Sequence, residues 1–180
     1  MTKEEQTEIE GIIAAYPVCQ YAFLKPEEIE FPERVRIICE TECPRYNTTW
    51  ACPPAVGTVE ECREKCLTYK ECFLFSTIAS VSDVINLEET LATRGEHEEI
   101  TASIEKFIRS QGTECIALST ESCDICEHCA YPEGPCRFPE KMHPCLESHG
   151  IIVSELADRY SMDFTLSPTE ILWFSLIFMK

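Results

Sequence analysis

Four cysteines stand within fourteen residues of one another in the stretch CDICEHCAYPEGPCRFP, residues 123–139. Cys123, Cys126 and Cys129 follow the spacing C-x2-C-x2-C, and six residues then separate the third cysteine from Cys136. The bacterial ferredoxin run uses the same first three positions, from which a short loop presents three thiolates to one cubane. A zinc knuckle pairs C-x2-C with a second, distant pair of ligands, which leaves the middle cysteine unused. The spacing therefore favours a [4Fe-4S] cluster, with zinc as the alternative.

The position of Cys136 departs from the ferredoxin run, in which the fourth cysteine follows the third after only three residues. In two-cluster ferredoxins that fourth cysteine ligates the other cluster. Here the intervening segment AYPEGP gives Cys136 enough chain to fold back. We predict that Cys136 ligates the same cluster as the three cysteines before it, and a crossed arrangement stays open.

A second group of cysteines lies upstream in CETECPRYNTTWACPP, residues 39–54. Cys39, Cys43 and Cys52 are spaced C-x3-C-x8-C, and the prolines among them fix φ, which suits a rigid loop. We predict a second [4Fe-4S] cluster here, with zinc and free structural thiols as alternatives. Three cysteines leave one iron of a cubane without a local ligand. Either a distant residue such as Cys62 completes the site, or the open position binds a small molecule.

Cysteine usage also bears on the cellular compartment. The chain has 13 cysteines among 180 residues, far above ordinary usage. Disulfide-rich secreted proteins reach such densities, but they are usually short, with an even number of cysteines and a signal peptide. Here the number is odd, and the N-terminal stretch MTKEEQTEIE lacks the basic and apolar regions of a secretory signal. We therefore expect a cytoplasmic metal protein.

The charge balance restricts the class of partner. Acidic residues outnumber basic residues by 32 to 15, which gives a formal net charge of −17. Nucleic-acid binding depends on Lys and Arg neutralising phosphates, so this balance argues against nucleic acid and against anionic membrane surfaces. The apolar run ILWFSLIFM is roughly half the length of a membrane-spanning helix and is predicted to be a buried strand. We expect a protein redox partner with a basic docking surface.

The predicted secondary structure must bring these two groups together. Thr58 followed by Glu61 indicates a capping box, and apolar residues recur at helical spacing before residue 110. We predict helices at 3–16, 59–70, 83–110 with a break near Gly95, 140–149 and 155–160, and strands at 72–79, 114–119 and 171–179. A strand, a long helix and a second strand indicate a βαβ crossover.

The predicted fold is α+β. We expect a single domain over residues 1–180, in which a small sheet contains the βαβ unit and carries helices on its face. The cysteine-rich cluster loops 39–54 and 123–139 are expected at one end of this sheet. The sequence does not determine the strand order.

Both cysteine groups and their flanks resemble the DUF2284 family, described as predicted metal-binding proteins of anaerobic bacteria and archaea. The matching stretches run from YAFLKPEEIE to EECRE, residues 21–64, and from CDICEHC to ESHGI, residues 123–151, and the run ILWFSLIFM also fits. This resemblance implies a metal-binding set of seven cysteines, Cys39, Cys43, Cys52, Cys123, Cys126, Cys129 and Cys136. The family name implies no particular activity.

Three functional hypotheses follow. The first is a cytoplasmic iron–sulfur protein with two [4Fe-4S] clusters that transfers single electrons to or from a redox partner. The second is a reductase or activase whose Cys39/Cys43/Cys52 cluster has an open iron that binds a small molecule. The third is a zinc-stapled interaction module, in which the metal supplies only folding energy. The sequence contains no Walker A, dinucleotide-binding or radical-SAM motif. No catalytic residue is assigned, and whether the protein is an enzyme stays open.

Overall fold

The computed structural model describes residues 2–180 and centres on a four-stranded antiparallel sheet. In chain order its strands are β1 (Val18–Leu24), β2 (Glu71–Ser80), β3 (Cys115–Leu118) and β4 (Glu170–Met179). Their order in the sheet is β1-β2-β4-β3. β2 and β4 pair along their whole length, from Glu71 opposite Met179 to Ser80 opposite Glu170. These two long strands therefore form the middle of the sheet.

The helices differ in length from those that the sequence predicted. They are α1 (Lys3–Ile13), α2 (Arg34–Thr41), α3 (Val59–Cys66), α4 (Leu87–Ala92), α5 (Arg94–Ser110) and α6 (Val153–Arg159), with 3-10 turns at Pro26–Glu28 and Glu147–His149. The predicted capping box begins α3 at Thr58. Among residues 2–180, no helix is both long enough and apolar enough to cross a membrane.

Four segments depart from the sequence-based prediction. The break in the predicted helix 83–110 falls at Thr93, which joins α4 to α5, and Gly95 lies within α5. The predicted helix 140–149 is reduced to its last turn, because the backbone around Pro144 pairs with Ser119 instead. α2 and the edge strand β1 were not predicted.

The predicted α+β class is confirmed, and its βαβ unit is a split one. β2 and β3 are both antiparallel to β4, so they run parallel to each other. α4 and α5 connect them, and β4 lies between them in the sheet. The last strand of the chain thus completes a crossover whose other parts lie much earlier in the sequence.

Both faces of the sheet are covered. Phe73 and Phe75 of β2 pack on one face in a cluster with α1 and α5. Leu74 of β2 and Phe178 of β4 pack on the other face with α6 and the apolar residues of segment 146–151. Neighbouring residues of a strand point to opposite faces, so a strand covered on both faces is apolar throughout. This explains the apolar run of β4, which is interrupted only by Ser175 between Ile171 and Met179.

A buried polar network fixes α5 on the sheet. His97 Nδ1 lies 2.7 Å from Thr77 Oγ1, and its Nε2 lies 2.8 Å from Ser175 Oγ. The Ser175 hydroxyl donates to Ser119 Oγ at 2.9 Å. Burial lowers the pKa of His97 to about 4, so its ring is neutral at pH 7 and uses one nitrogen as donor and the other as acceptor. Ser119 directly follows β3, so this network positions the start of the second cysteine-rich segment.

Candidate metal centres

The four cysteines of the second group line one cavity in the segment after β3. All four are half-buried, and the cavity is completed mainly by apolar side chains; its lining includes Cys123, Cys126, Cys129, Cys136, Trp50, Ile125, Phe138 and Met142. Cys136 thus faces the same cavity as the C-x2-C-x2-C run. This arrangement is required if Cys136 ligates the same centre as the three cysteines before it. Apolar surroundings limit the access of water, and solvent access is one of the factors that set the potential of an iron–sulfur cluster.

The donor set of this cavity fits a bound metal group. Burial raises the pKa of Cys123, and the nearby thiols of Cys136 and Cys126 also raise it. The Tyr131 backbone N–H lies 3.5 Å from Cys129 Sγ as a donor. Neighbouring thiols that oppose one another's ionisation become a stable set of thiolates once a cation lies among them. Four thiols around one cavity are suited to bind a cationic inorganic centre.

Two arginines hold this loop in place. The Arg137 guanidinium donates to the carbonyl oxygen of His128 at 2.7 Å, which closes the loop on itself. Arg94 of α5 forms a two-pronged ion pair with Asp124, with nitrogen–oxygen distances of 3.1 and 3.0 Å. The Arg94 side chain is only 10% exposed, whereas that of Asp124 is 62% exposed. α5 therefore anchors Asp124, the residue that directly follows Cys123.

The first cysteine group is distributed over a helix and the loop that follows it. Cys39 is buried on α2, Cys43 is exposed just beyond the end of α2, and Cys52 is buried further along the loop. The predicted loop 39–54 therefore begins inside a helix. Burial raises the pKa of Cys39, and the thiols of Cys43 and Cys52 raise it further while Arg36 lowers it. The three predicted ligands thus share one electrostatic environment.

The two cysteine-bearing segments pack against each other. The Trp50 indole N–H donates to the carbonyl oxygen of Gly134 at 2.9 Å, and its ring contacts Tyr131 edge-on with centroids 5.0 Å apart. At a second point, Cys52 Sγ donates to Ser122 Oγ at 3.1 Å, one residue before the second group begins. Trp50 also lines the cavity of the second group. The structure therefore places the two groups beside each other.

All thirteen cysteines are free, so no disulfide competes with metal binding. Within residues 2–180, no three Cys, His, Asp or Glu side chains are grouped as the ligands of a single metal ion would be. The seven predicted ligands occupy two neighbouring places, four around one cavity and three beside it. Cys62, the predicted source of a further ligand, donates instead to the carbonyl oxygen of Val56 at 3.4 Å.

A charged cluster beside the second group was not predicted from the sequence. His143 Nδ1 lies 3.1 Å from Glu98 Oε2, and its Nε2 lies 3.3 Å from Glu105 Oε2. Burial opposes the charged ring, but the hydrogen bonds that the ring donates to both carboxylates outweigh burial and raise the pKa of His143 to about 9. The spacing of Glu98 and Glu105 on α5, two helical turns apart, is the one sequence feature that indicates a shared face. Their histidine partner comes from a distant segment, which local sequence does not show.

Comparison with known proteins agrees with a metal-binding role. The family model for DUF2284, described as a predicted metal-binding protein, matches residues 22–179. No curated protein and no solved structure gives a significant match. The matched range contains both cysteine groups, all four strands except the first residues of β1, and the contacts that join the two groups. The chain belongs to the DUF2284 family of predicted metal-binding proteins.

Proposed function

We propose that this protein is an electron carrier that binds two [4Fe-4S] clusters. Cys123, Cys126, Cys129 and Cys136 hold one cluster, and the Cys39/Cys43/Cys52 group holds the other. Bound clusters of this kind supply reversible one-electron oxidation and reduction, with potentials from about −700 to +450 mV. The protein binds the clusters in neighbouring places, shields them from water and presents them to a partner.

The observation that supports this function best is that four thiols from the C-x2-C-x2-C…C run line one cavity. A wall of this cavity is Trp50, which belongs to the segment between Cys43 and Cys52. The same tryptophan bonds to Gly134 within the second group's loop. Because one side chain is shared between both segments, the two proposed clusters are neighbours and form a short path for electrons.

The charge of the protein supports a basic partner. The chain has a formal net charge of −17, and thiolate ligands add further negative charge. A strongly acidic protein attracts a partner with a basic docking surface and repels acidic ones, and this attraction weakens as salt screens it. We propose a protein redox partner in a reducing, cytoplasmic environment, where the thirteen free thiols remain reduced.

Iron and acid-labile sulfide analysis of anaerobically purified protein tests this function. Two [4Fe-4S] clusters require about eight irons and a matching amount of sulfide for each chain. The protein should be brown, and one-electron reduction should bleach its visible absorption. Colourless protein that contains zinc without sulfide would refute the redox function and support the zinc-stapled interaction module.

Two matched variants assign the clusters to their loops. Cys129→Ser should remove the EPR signal of the second group, and Cys52→Ser should remove that of the first. Cys19→Ser is the control, because Cys19 is an exposed thiol on β1 and belongs to neither group. Loss of both signals in each variant, with the fold intact, would show a single shared centre in place of two.

A further inference from the structure

Six cysteines lie outside the seven predicted ligands, and two of them, Cys62 and Cys145, lie near the first group. Cys66 and Cys72 are in the core cluster beneath the sheet, and Cys115 starts β3, where its thiol faces the Glu105 carbonyl at 3.8 Å. Cys62 lies beside Arg36 of α2, but its thiol donates to the carbonyl of Val56 at 3.4 Å. Cys145 differs from these, because it lies in the irregular segment between the second group and the 3-10 turn Glu147–His149.

Backbone pairing holds Cys145 close to the segment that contacts Cys52. Cys145 forms an isolated parallel bridge with Ser119. The Ser119 N–H donates to the Pro144 carbonyl at 2.9 Å, and the Leu146 N–H donates to the Ser119 carbonyl at 3.2 Å. Three residues after Ser119, the Ser122 hydroxyl accepts from Cys52 Sγ at 3.1 Å. Three residues span about 10 Å at most, so Cys145 and Cys52 flank the same short stretch of chain.

Arg36 joins the same region to α2. Its guanidinium donates to the Gly57 carbonyl at 2.8 Å and to the Ser148 carbonyl at 2.9 Å. α2 also packs directly against the Glu147–His149 turn. Cys39 lies three residues after Arg36, and residues three apart share a face of a helix. Arg36 therefore connects the helix of Cys39, the loop of Cys52 and the turn that follows Cys145.

The charges around these thiols agree with this arrangement. Burial raises the pKa of Cys145 well above the ordinary value, and the Glu147 carboxylate and the Cys52 thiol also raise it. Glu147 also raises the pKa of Cys39, although burial and the neighbouring thiols of the first group come before it as causes. One carboxylate thus acts on the thiols of both segments. These directions agree with the hydrogen bonds of Arg36, Ser122 and Ser119, which bring the three segments together.

We propose that Cys145 is the fourth protein ligand of the centre formed by Cys39, Cys43 and Cys52. This inference rests on the proposed function, since it completes the first of the two iron–sulfur sites. On ligation the Cys145 Sγ–H bond breaks, a sulfur–iron bond forms, and the proton goes to solvent. The Ser148 backbone N–H, 3.3 Å from Cys145 Sγ, donates to this sulfur, and hydrogen bonds of that kind tune a cluster's potential.

A fourth protein ligand changes what the first centre does. With four cysteines the cluster has no open iron, so it passes electrons and binds no substrate. The proposed ligation by Cys145 thus favours the carrier over the enzyme hypothesis. With Cys145 as a ligand, each of the two centres is held by four cysteines.

The test compares Cys145→Ser with Cys62→Ser in anaerobically purified, full-length protein. Both replace a shielded thiol by a hydroxyl, but only Cys145 is assigned to the centre. We expect Cys145→Ser to lose the first group's EPR signal and to fall from about eight irons to about four for each chain, while the second group's signal is unchanged. Cys62→Ser should keep both signals. Unchanged spectra and iron in Cys145→Ser, or loss of the first group's signal in Cys62→Ser alone, would overturn the assignment.

A measurement on the unaltered protein covers the case in which Cys145→Ser does not fold. Cyanide is added to the anaerobic, reduced protein, and the EPR signal of the first group is followed. A centre with four cysteine ligands should keep its signal unchanged, whereas a shift of this signal would show an open iron and refute the role of Cys145. These results are separable from the proposed function itself, because unaltered protein without iron would refute the function before any variant is compared.

Discussion

Replacing Gly150 with alanine should destabilise the protein more than the same replacement at Gly112. Both glycines have positive φ, 84° and 83° respectively. A non-glycine residue in this left-handed region costs about 1–2 kcal/mol. At Gly112 an added Cβ meets no atom within 4 Å, whereas at Gly150 it lies 2.7 Å from Val59 Cγ1 and 3.3 Å from Val59 Cγ2. Overpacking of this kind adds about 1–3 kcal/mol. We therefore expect a loss of about 1–2 kcal/mol for Gly112→Ala and about 2–5 kcal/mol for Gly150→Ala.

Urea denaturation of anaerobic protein measures both losses. Far-ultraviolet circular dichroism follows unfolding, and iron is determined in every sample so that lost metal is not counted as lost packing. With an unchanged slope, the shift of the midpoint gives the difference in unfolding free energy. The position bears on the proposed role of Cys145, because Gly150 ends the 3-10 turn that follows this cysteine and packs against Val59 at the start of α3.

A double variant tests the cause of the effect. In a Val59→Ala background both close methyl contacts are absent, so Gly150→Ala should cost only about as much as Gly112→Ala does, about 1–2 kcal/mol. Equal losses for Gly150→Ala and Gly112→Ala in the parent protein would refute the argument from close packing. A full loss that persists in the Val59→Ala background would do the same.

Three further predictions concern the loops and the core. Trp50→Phe removes the hydrogen bond to Gly134 but keeps an aromatic ring, so the unfolding free energy should fall by about 1 kcal/mol and a chelator should extract iron faster; equal extraction rates would contradict the role of this bond. Arg94→Gln removes a buried guanidinium that pairs with the mostly exposed Asp124 and, at 3.7 Å, with Glu98, so urea denaturation should show a loss of about 1–3 kcal/mol, and this loss should be smaller when both proteins are measured in 1 M salt. His97 is neutral in the fold, with its pKa lowered to about 4, whereas the unfolded chain takes up the proton near pH 6.5. Its contribution to stability is complete above pH 6.5 and is lost as the pH falls toward 4, by roughly 3 kcal/mol in total. Urea midpoints measured at pH 7 and pH 4.5 should therefore differ less in His97→Gln than in the parent, and an equal difference would contradict the assignment.

Local sequence was sufficient for elements with strong periodicity or a defined start. The capping box at Thr58 begins α3, and the apolar run near the C-terminus is the central strand β4. The capping box depends on contacts within three residues, and the strand depends on the burial of its apolar side chains. β1 and α2 were not predicted. β1 alternates only weakly between buried and exposed positions, and α2 carries apolar residues such as Ile37 and Ile38 that remain exposed.

Strand order depended on contacts that no local pattern contains. The split crossover forms because β4, the last strand of the chain, pairs with both β2 and β3. The pairing of β2 with β4 joins segments about a hundred residues apart, and that of β3 with β4 joins segments about sixty residues apart. A helix between two strands is equally compatible with adjacent and with split arrangements, so the sequence alone left the order open.

By itself the sequence determined the chemistry that this protein offers: two groups of closely spaced thiols in an acidic chain, four in one group and three in the other. Spacing along a loop controls which thiols reach a common point, and that information is local. Only the tertiary structure decided that the two groups are neighbours, because Trp50 and Ser122 join them across about 70–84 residues of chain. It also brought Cys145 beside the first group, since hydrogen bonds from Ser119 and Arg36, distant in sequence, fix where that thiol lies.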